Sequence, residues 1–245
     1  MRQLWIEETA STNAYVKEHR DSVEPMTMVL ARRQTAGRGQ RGNSWESAPG
    51  ENLTFSLRFV PRGIRPTEQF TISEAAALAA VDTLAAYGVK AAVKWPNDIY
   101  VADGKVCGIL IENVIAGTEI AESVIGIGLN VNQTVFESDA PNPVSMAGLT
   151  GRRYPLEEVT ATFGRALRRR LAEGSLGSRA LHEEYTARLW RGDGAFHPFV
   201  EAGGERVEAV IDGVELTGHL RLRLRNGETR RYAFKEVFPV LLHDI

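Results

Sequence analysis

The 245-residue sequence predicts an α+β fold followed by a small all-β unit, and three observations carry that prediction. Strand-like stretches with alternation or hairpin punctuation recur between Leu4 and Gly128, with one long Ala-rich helical run among them. From Leu156 the apolar period becomes that of helices. Past Trp190, strict alternation over Leu220 to Arg225 followed by Asn226-Gly227 signals a hairpin.

Leu4 to Glu8 reads as the first strand. Ser11, Thr12 and Asn13 then offer cap-forming side chains before a short helix ending near His19. Thr27 to Ala31 and Leu53 to Val60 are strand-like, the second with clear period-two alternation. Pro66 precedes a helix to about Tyr87, apolar on most faces and stopped by Gly88, which implies deep burial. Strands follow near Ala91 to Lys94 and Ile99 to Val101, with Asp103-Gly104 as the turn into Val106 to Glu112. A further strand runs from about Glu119 to Gly128. Leu156, Val159, Phe163, Leu167 and Leu171 stripe one helix, whose Arg165, Arg168 and Arg169 read as a solvated face. A second helix covers about Arg179 to Leu189. Trp190 to Gly194 looks like a boundary, dividing the chain into domains 1–190 and 191–245, the latter a small barrel or sandwich with its alternating arginines on the wet face.

With 43% hydrophobic and 24% charged residues, the composition is that of an ordinary globular protein. A formal net charge of −2 argues against a nucleic-acid coat. Cys107, the only cysteine, permits no intrachain disulfide, so a reducing, cytoplasmic setting is expected. There is no 18-residue apolar run, and Glu7 and Glu8 sit where a secretory signal would be basic and then apolar, so neither a membrane span nor a leader is expected. Of 29 basic residues only five are lysine, which draws attention to the lysines inside motifs.

The most informative segment runs from Gln34 to Ser47. Gly37, Gly39 and Gly42 allow positive φ and close approach to a ligand; Arg38 and Arg41 supply forked donors for phosphate or carboxylate; Trp45 adds an apolar face with one donor. Its strand-like flanks place it in an ordered loop, and it matches neither the phosphate-loop nor the dinucleotide fingerprint. Four more segments carry site chemistry. Ser11 to Asn13 lies at a helix start, where simple capping is the alternative reading. Lys94 to Asp98 packs a cation, an indole, a proline, an amide and a carboxylate into five residues. Lys105 to Glu112 opens a buried strand with a lysine. Gly126 to Asn132 ends an apolar strand with amides and two glycines.

Through these five segments, in this order, residues 1 to about 190 resemble the biotin–protein ligases (biotin–[acetyl-CoA-carboxylase] ligases), in the form without an N-terminal DNA-binding domain. The resemblance implies a mixed β-sheet packed with helices, shared with lipoate ligases, plus a small SH3-like C-terminal domain. It implies two steps: biotin and Mg-ATP give biotinyl-5′-AMP, then biotin passes to a lysine of a biotin carboxyl carrier domain. It also implies residue roles. Ser11, Thr12 and Gln34 would face the ureido group, with Asn13, Gly37, Arg38, Gly39, Gln40, Trp45, Lys105 and Gly108 completing the biotin site. Arg38, Arg41, Gly42, Lys94, Asn97 and Asn130 would bind the nucleotide, with Mg²⁺ entering alongside ATP near Asn130 and no intrinsic metal site. Lys105 and Arg38 would stabilise charge at the α-phosphorus, and Asp98 would accept the proton of the incoming lysine. Many members carry a basic residue where Gln40 stands, so a weaker hold on the adenylate is expected. Only ten residues precede Ser11, too few for a helix-turn-helix, so no DNA partner is expected. Monomer and homodimer both remain open. A lipoate ligase and a non-catalytic biotin-binding regulator are the rival readings; Lys105 with Asp98 argues against the second, because a pure binder needs neither.

Overall fold

Residues 1–137 and 142–241 are described by the computed structural model, the side chain of Arg41 excepted. Seven strands, β1 (Arg2–Thr9), β2 (Thr27–Gln34), β3 (Leu53–Phe59), β4 (Ala92–Lys94), β5 (Asp98–Val101), β6 (Gly104–Ala116) and β7 (Glu119–Leu129), form one sheet in the order β1-β2-β3-β7-β6-β5-β4. Only β1 and β2 run parallel; every other neighbour is antiparallel, so the sheet is mixed. Helix α1 (Thr12–Glu18) makes the crossover between the parallel pair, and α2 (Phe70–Ala86), α3 (Met146–Thr150), α4 (Leu156–Arg170) and α5 (Arg179–Ala187) follow.

Alternation along β3 decides which face is which. Leu53, Phe55, Leu57 and Phe59 point into the main core with α2 and α4, where Phe55 meets Phe163 edge-on at 5.3 Å. Thr54, Ser56 and Arg58 point to the opposite face, which α1 partly covers through a small cluster of Val16, Val23, Val29 and Val124. Helix α2 is buried almost all round because it lies between the sheet and the pair α4 and α5, and its run Ala75–Ala80 lets those neighbours approach. Truncating fully buried Phe163 to Ala would cost about 3–5 kcal/mol.

The helices are also tied by charge. The Arg170 guanidinium donates to both Asp82 oxygens (2.7 and 3.0 Å) and to Glu184, joining α4 to α2 and α5. Arg169 adds a bond to Asp82 at 2.6 Å. The basic end of α4 is therefore an inter-helix clamp as well as a solvated face. Two further expectations shift. The helix after Pro66 begins with a 3-10 turn over Pro66–Glu68, so α2 starts only at Phe70. In the turn between β5 and β6 it is Ala102 that takes the left-handed conformation (φ 49°), while Gly104 starts β6 where a Cβ would strike Val144.

The second sheet holds β8 (His197–Glu201), β9 (Arg206–Val214), β10 (Leu220–Leu224), β11 (Thr229–Tyr232) and β12 (Val237–Pro239) in the antiparallel order β11-β10-β9-β8-β12. Leu220, Leu222 and Leu224 are buried while Arg221 and Arg223 are exposed, as the alternation predicts. This sheet is pinned against the first unit by Trp95, whose indole N–H donates to the Gly218 carbonyl (2.9 Å) and whose ring meets Phe234 edge-on. No helix among the described residues is long and apolar enough to cross a membrane.

Candidate active site

On the α1 side of the first sheet lies a cavity of about 810 Å³, bounded at its far end by Phe234, Lys235 and Phe238 of the second unit. Its floor is made by Gly108 of β6 and by Gly126 and Gly128 of β7, glycines where other strands carry side chains. A Cβ on Gly128 would fall 2.2 Å from the Trp45 indole, and one on Gly126 would fall 2.3 Å from Asn13 Oδ1. Gly108 leaves room for the same indole. These absences of side chain make a flat bed on which an aromatic group rests.

One end of the cavity is polar and neutral. Ser11 begins α1 in extended conformation and makes no side-chain cap, so its hydroxyl belongs to the cavity lining rather than to the helix. Thr12 donates its backbone N–H to Gln34 Oε1 (2.8 Å), and its hydroxyl lies 3.2 Å from the same oxygen. Ser56 Oγ lies 2.7 Å from Thr12 Oγ1 and donates to Asn13 Oδ1 at 2.5 Å. Asn13 Nδ2 donates in turn to Glu112 Oε2 (2.7 Å) and to the Leu110 carbonyl (3.3 Å). Lys17 closes the chain with an ion pair to Glu112.

The other end is charged. Lys105 Nζ lies 2.7 Å from Asp98 Oδ1, and Lys94 Nζ lies 3.8 Å from Asp98 Oδ2, so one carboxylate holds two ammonium groups. Register brings them close: Lys94 pairs with Asp98 across β4 and β5, and Lys105 pairs with Tyr100, two residues along β5 from Asp98. Burial pushes the Lys94 ammonium below its usual range, more than Asp98 restores, and Lys105 and Arg191 add to the fall. The same burial, with Asp98 and Asp103, pushes the Tyr100 phenol up and keeps it neutral. Asn130 donates Nδ2 to the Val144 carbonyl (3.1 Å), which leaves its Oδ1 buried without a partner. The Trp45 indole N–H is likewise buried and unpartnered. A buried polar atom without a partner costs about 1–3 kcal/mol, so both mark places for ligand atoms.

The glycine loop that carries Trp45 is a folded hairpin. Arg38 pairs with Ser44, Gly39 donates to the Asn43 carbonyl, and Trp45 donates to the Gly37 carbonyl. Only Gly42 of its three glycines takes positive φ (89°); Gly37 is needed because a Cβ there would lie 2.5 Å from the Trp45 carbonyl oxygen. Arg38 is exposed, and its side chain of forked donors lies on the cavity rim. The side chain of Arg41 lies outside the described residues.

Ser11, Thr12, Asn13, Gln34, Arg38, Gly39, Gln40, Gly42, Trp45, Lys94, Asn97, Asp98, Lys105, Gly108 and Asn130 thus all line one cavity, with Gly37 just behind it. Asn97 spends its amide nitrogen on the Ile109 carbonyl (2.8 Å), and its own carbonyl accepts from Ile109, so it also clips β6 to the turn before β5. Sequence reasoning missed Ser56, although its place on the polar face of β3 was a usable signal. It quoted Glu112 within a motif without giving it work. Cys107 faces the core, where burial pushes its thiol up and leaves it unsuited to nucleophilic chemistry.

The model of the biotin/lipoate A/B protein ligase family matches residues 5–130, which hold the polar end, the loop, the Lys105–Asp98 pair and the glycine floor. The chain belongs to that family. Among its relatives, it is 33% identical to the biotin–[acetyl-CoA-carboxylase] ligase of Paracoccus denitrificans over 224 residues, covering 88% of this chain and 91% of that one. It is 29% identical to the ligase of the same name from Mycobacterium tuberculosis over 196 residues, 75% of this chain and 69% of that one. Its fold is similar to that of a biotin protein ligase from Aquifex aeolicus solved with biotin and ATP, with a TM-score of 0.81, 22% identity and coverage of 98% and 99%. That likeness extends through the second sheet, so the family unit and the small β unit occur together in both.

Proposed function

We propose that the protein is an ATP-dependent biotin–protein ligase, which joins biotin to ATP as biotinyl-5′-AMP and then transfers biotin to a lysine of a biotin carboxyl carrier domain. The observation that carries this reading is the Lys105–Asp98 pair set beside a glycine floor under Trp45, with a neutral hydrogen-bonding end on one side and a cationic end on the other. Biotin has that polarity: a cyclic urea, an apolar bicycle and chain, and a carboxylate.

In this reading Ser11, Thr12 and Gln34 meet the urea, and Trp45 covers the chain. The carboxylate and α-phosphate lie between Lys105 and Arg38. As a carboxylate oxygen attacks the α-phosphorus and pyrophosphate leaves, these cations balance charge that would otherwise repel the nucleophile. Lys94 and Lys235 extend the positive end toward the rest of the nucleotide. The site suits a Mg²⁺ ion carried by phosphates, because Asn130 offers one buried, unpartnered oxygen. When bound, the ion would neutralise phosphate charge. In the second step the carrier amine attacks the acyl carbon, AMP departs, and Asp98 is the carboxylate able to take the amine proton. A cytoplasmic setting accords with the single buried thiol.

The test is to mix the protein with biotin, Mg-ATP and an unmodified carrier domain. The expected result is a carrier heavier by one biotinyl group per acceptor lysine, with AMP formed in equal amount. A carrier of unchanged mass would overturn the proposal.

A further inference from the structure

Five non-glycine residues among those described take positive φ: Met26, Ala102, Asn142, Arg191 and Lys235. Only Lys235 (φ 71°) also lines the large cavity. It is the third residue of a tight turn, Ala233 to Glu236. The Glu236 N–H donates to the Ala233 carbonyl (3.1 Å), and the Ala233 N–H donates to the Glu236 carboxylate (2.7 Å). Positive φ at the third position of a turn favours glycine, because a Cβ there crowds the following carbonyl. A lysine in that place costs stability, and neither bond of the turn uses its side chain. Strain kept on a cavity wall points to work done by the side chain that causes it.

The turn is fixed from the first unit: Phe234, its second residue, meets the Trp95 ring edge-on at 6.3 Å, next to Lys94 in the chain. The second unit gives the cavity Phe234, Lys235, Val237, Phe238 and Pro239, of which only Lys235 is charged. Lys94 and Lys105 share the Asp98 carboxylate, whereas among the described residues no carboxylate pairs with Lys235. Its charge is therefore available to a ligand. The geometry of the first step says to which part. Attack at the α-phosphorus is in line, so pyrophosphate leaves opposite the attacking carboxylate oxygen. Biotin lies toward the neutral end, and the leaving group points away from it, to the wall that the second unit supplies. We propose that Lys235 is a specificity-determining residue: it binds the terminal phosphates of ATP, and pyrophosphate after cleavage, and so separates the triphosphate from the adenylate and AMP, which lack them. This proposal deepens the biotin-ligase reading and rests on it.

Three variants separate charge from strain. Lys235→Gly removes the charge and suits the turn, Lys235→Ala removes the charge and keeps the strain, and Lys235→Arg keeps both. Biotin-dependent exchange of labelled pyrophosphate into ATP gives KM for each of those two ligands, and calorimetry gives dissociation constants for Mg-ATP, AMP and biotin. The glycine and alanine variants should raise KM for ATP and for pyrophosphate at least about tenfold, the value of one charge-assisted hydrogen bond. The rate at saturating ATP and the affinities for AMP and biotin should hold, because a contact to the terminal phosphates is made equally before and during reaction. Lys235→Arg should keep the wild-type KM, and Lys235→Gly should melt no lower than the wild type, because glycine suits positive φ. Equal losses for ATP and AMP would place Lys235 on the phosphate that the adenylate keeps, and would overturn the proposal. So would an unchanged KM for ATP, or a lower melting temperature in Lys235→Gly, either of which would make Lys235 a turn residue alone. Wild-type protein without biotin-dependent exchange would instead overturn the biotin-ligase reading, while calorimetry with Mg-ATP and AMP would still read the preference of Lys235 for terminal phosphates.

Discussion

Lys105 and Asp98 meet at 2.7 Å on the cavity wall, with the Lys105 ammonium also 5.7 Å from the centre of the Trp45 ring. The cation assigned to the first step and the carboxylate assigned to the second are therefore direct neighbours, and each can be tested by its own half-reaction. Lys105→Ala should cut adenylate formation by about 10²–10³-fold, the usual cost of losing one charge-stabilising group. Asp98→Ala should slow transfer from preformed adenylate by about 10²-fold or more and affect adenylation less. Single-turnover measurements of both steps check this; adenylation at the wild-type rate in Lys105→Ala would remove that assignment.

Gly128 tests the floor. The Cβ of Gly128→Ala meets the indole at 2.2 Å, so Trp45 must lift and the bed beneath a ligand is lost. Biotin affinity should fall at least about tenfold. Titration calorimetry would show this, and unaltered binding would mean that Trp45 has no fixed place over the floor.

Much of this was legible beforehand, and particular residues show why. The alternation of Leu53 to Phe59 and the glycines 126 and 128 are local patterns, and both told which face is packed and which is bare. The Asn13–Ser56 bond joins residues 43 apart, and Asn13–Glu112 joins residues 99 apart, so only the folded sheet reveals the chain they form. Helix α3, with five residues, and β12, with three, are too short to show a period. The 3-10 turn ahead of α2 was not separable from it beforehand, because Pro66 suits the first turn of either helix type. Arg169 looked solvated because Asp82, its partner, lies nearly ninety residues away.

That clamp carries a pH signature. Burial would raise the Asp82 carboxyl, but Arg170 and Arg169 hold it below its usual range; Arg170 does the same to Glu184. A carboxyl with a lowered folded pKa contributes stability that is present above its unfolded pKa and lost as pH falls through the folded value. Arg170→Ala should therefore destabilise the protein at neutral pH by about 2 kcal/mol and flatten the loss of stability on acidification. Urea melts from neutral to acidic pH would show the two curves converging at low pH; parallel curves would contradict the clamp.

Gln40 lines the cavity where many family members are expected to carry a cation. Gln40→Arg should add a phosphate contact and slow escape of free biotinyl-5′-AMP by about fivefold or more, a gain of roughly 1 kcal/mol. A chase of labelled adenylate with unlabelled biotin measures the release rate directly, and equal rates would reject the role given to this position.

Biotin-dependent exchange of labelled pyrophosphate into ATP, run in parallel with lipoate, tests the central claim most directly. The account predicts exchange with biotin and Mg²⁺, none with lipoate, and its loss in Lys105→Ala. Exchange with lipoate alone, or binding of biotin without any exchange, would contradict it.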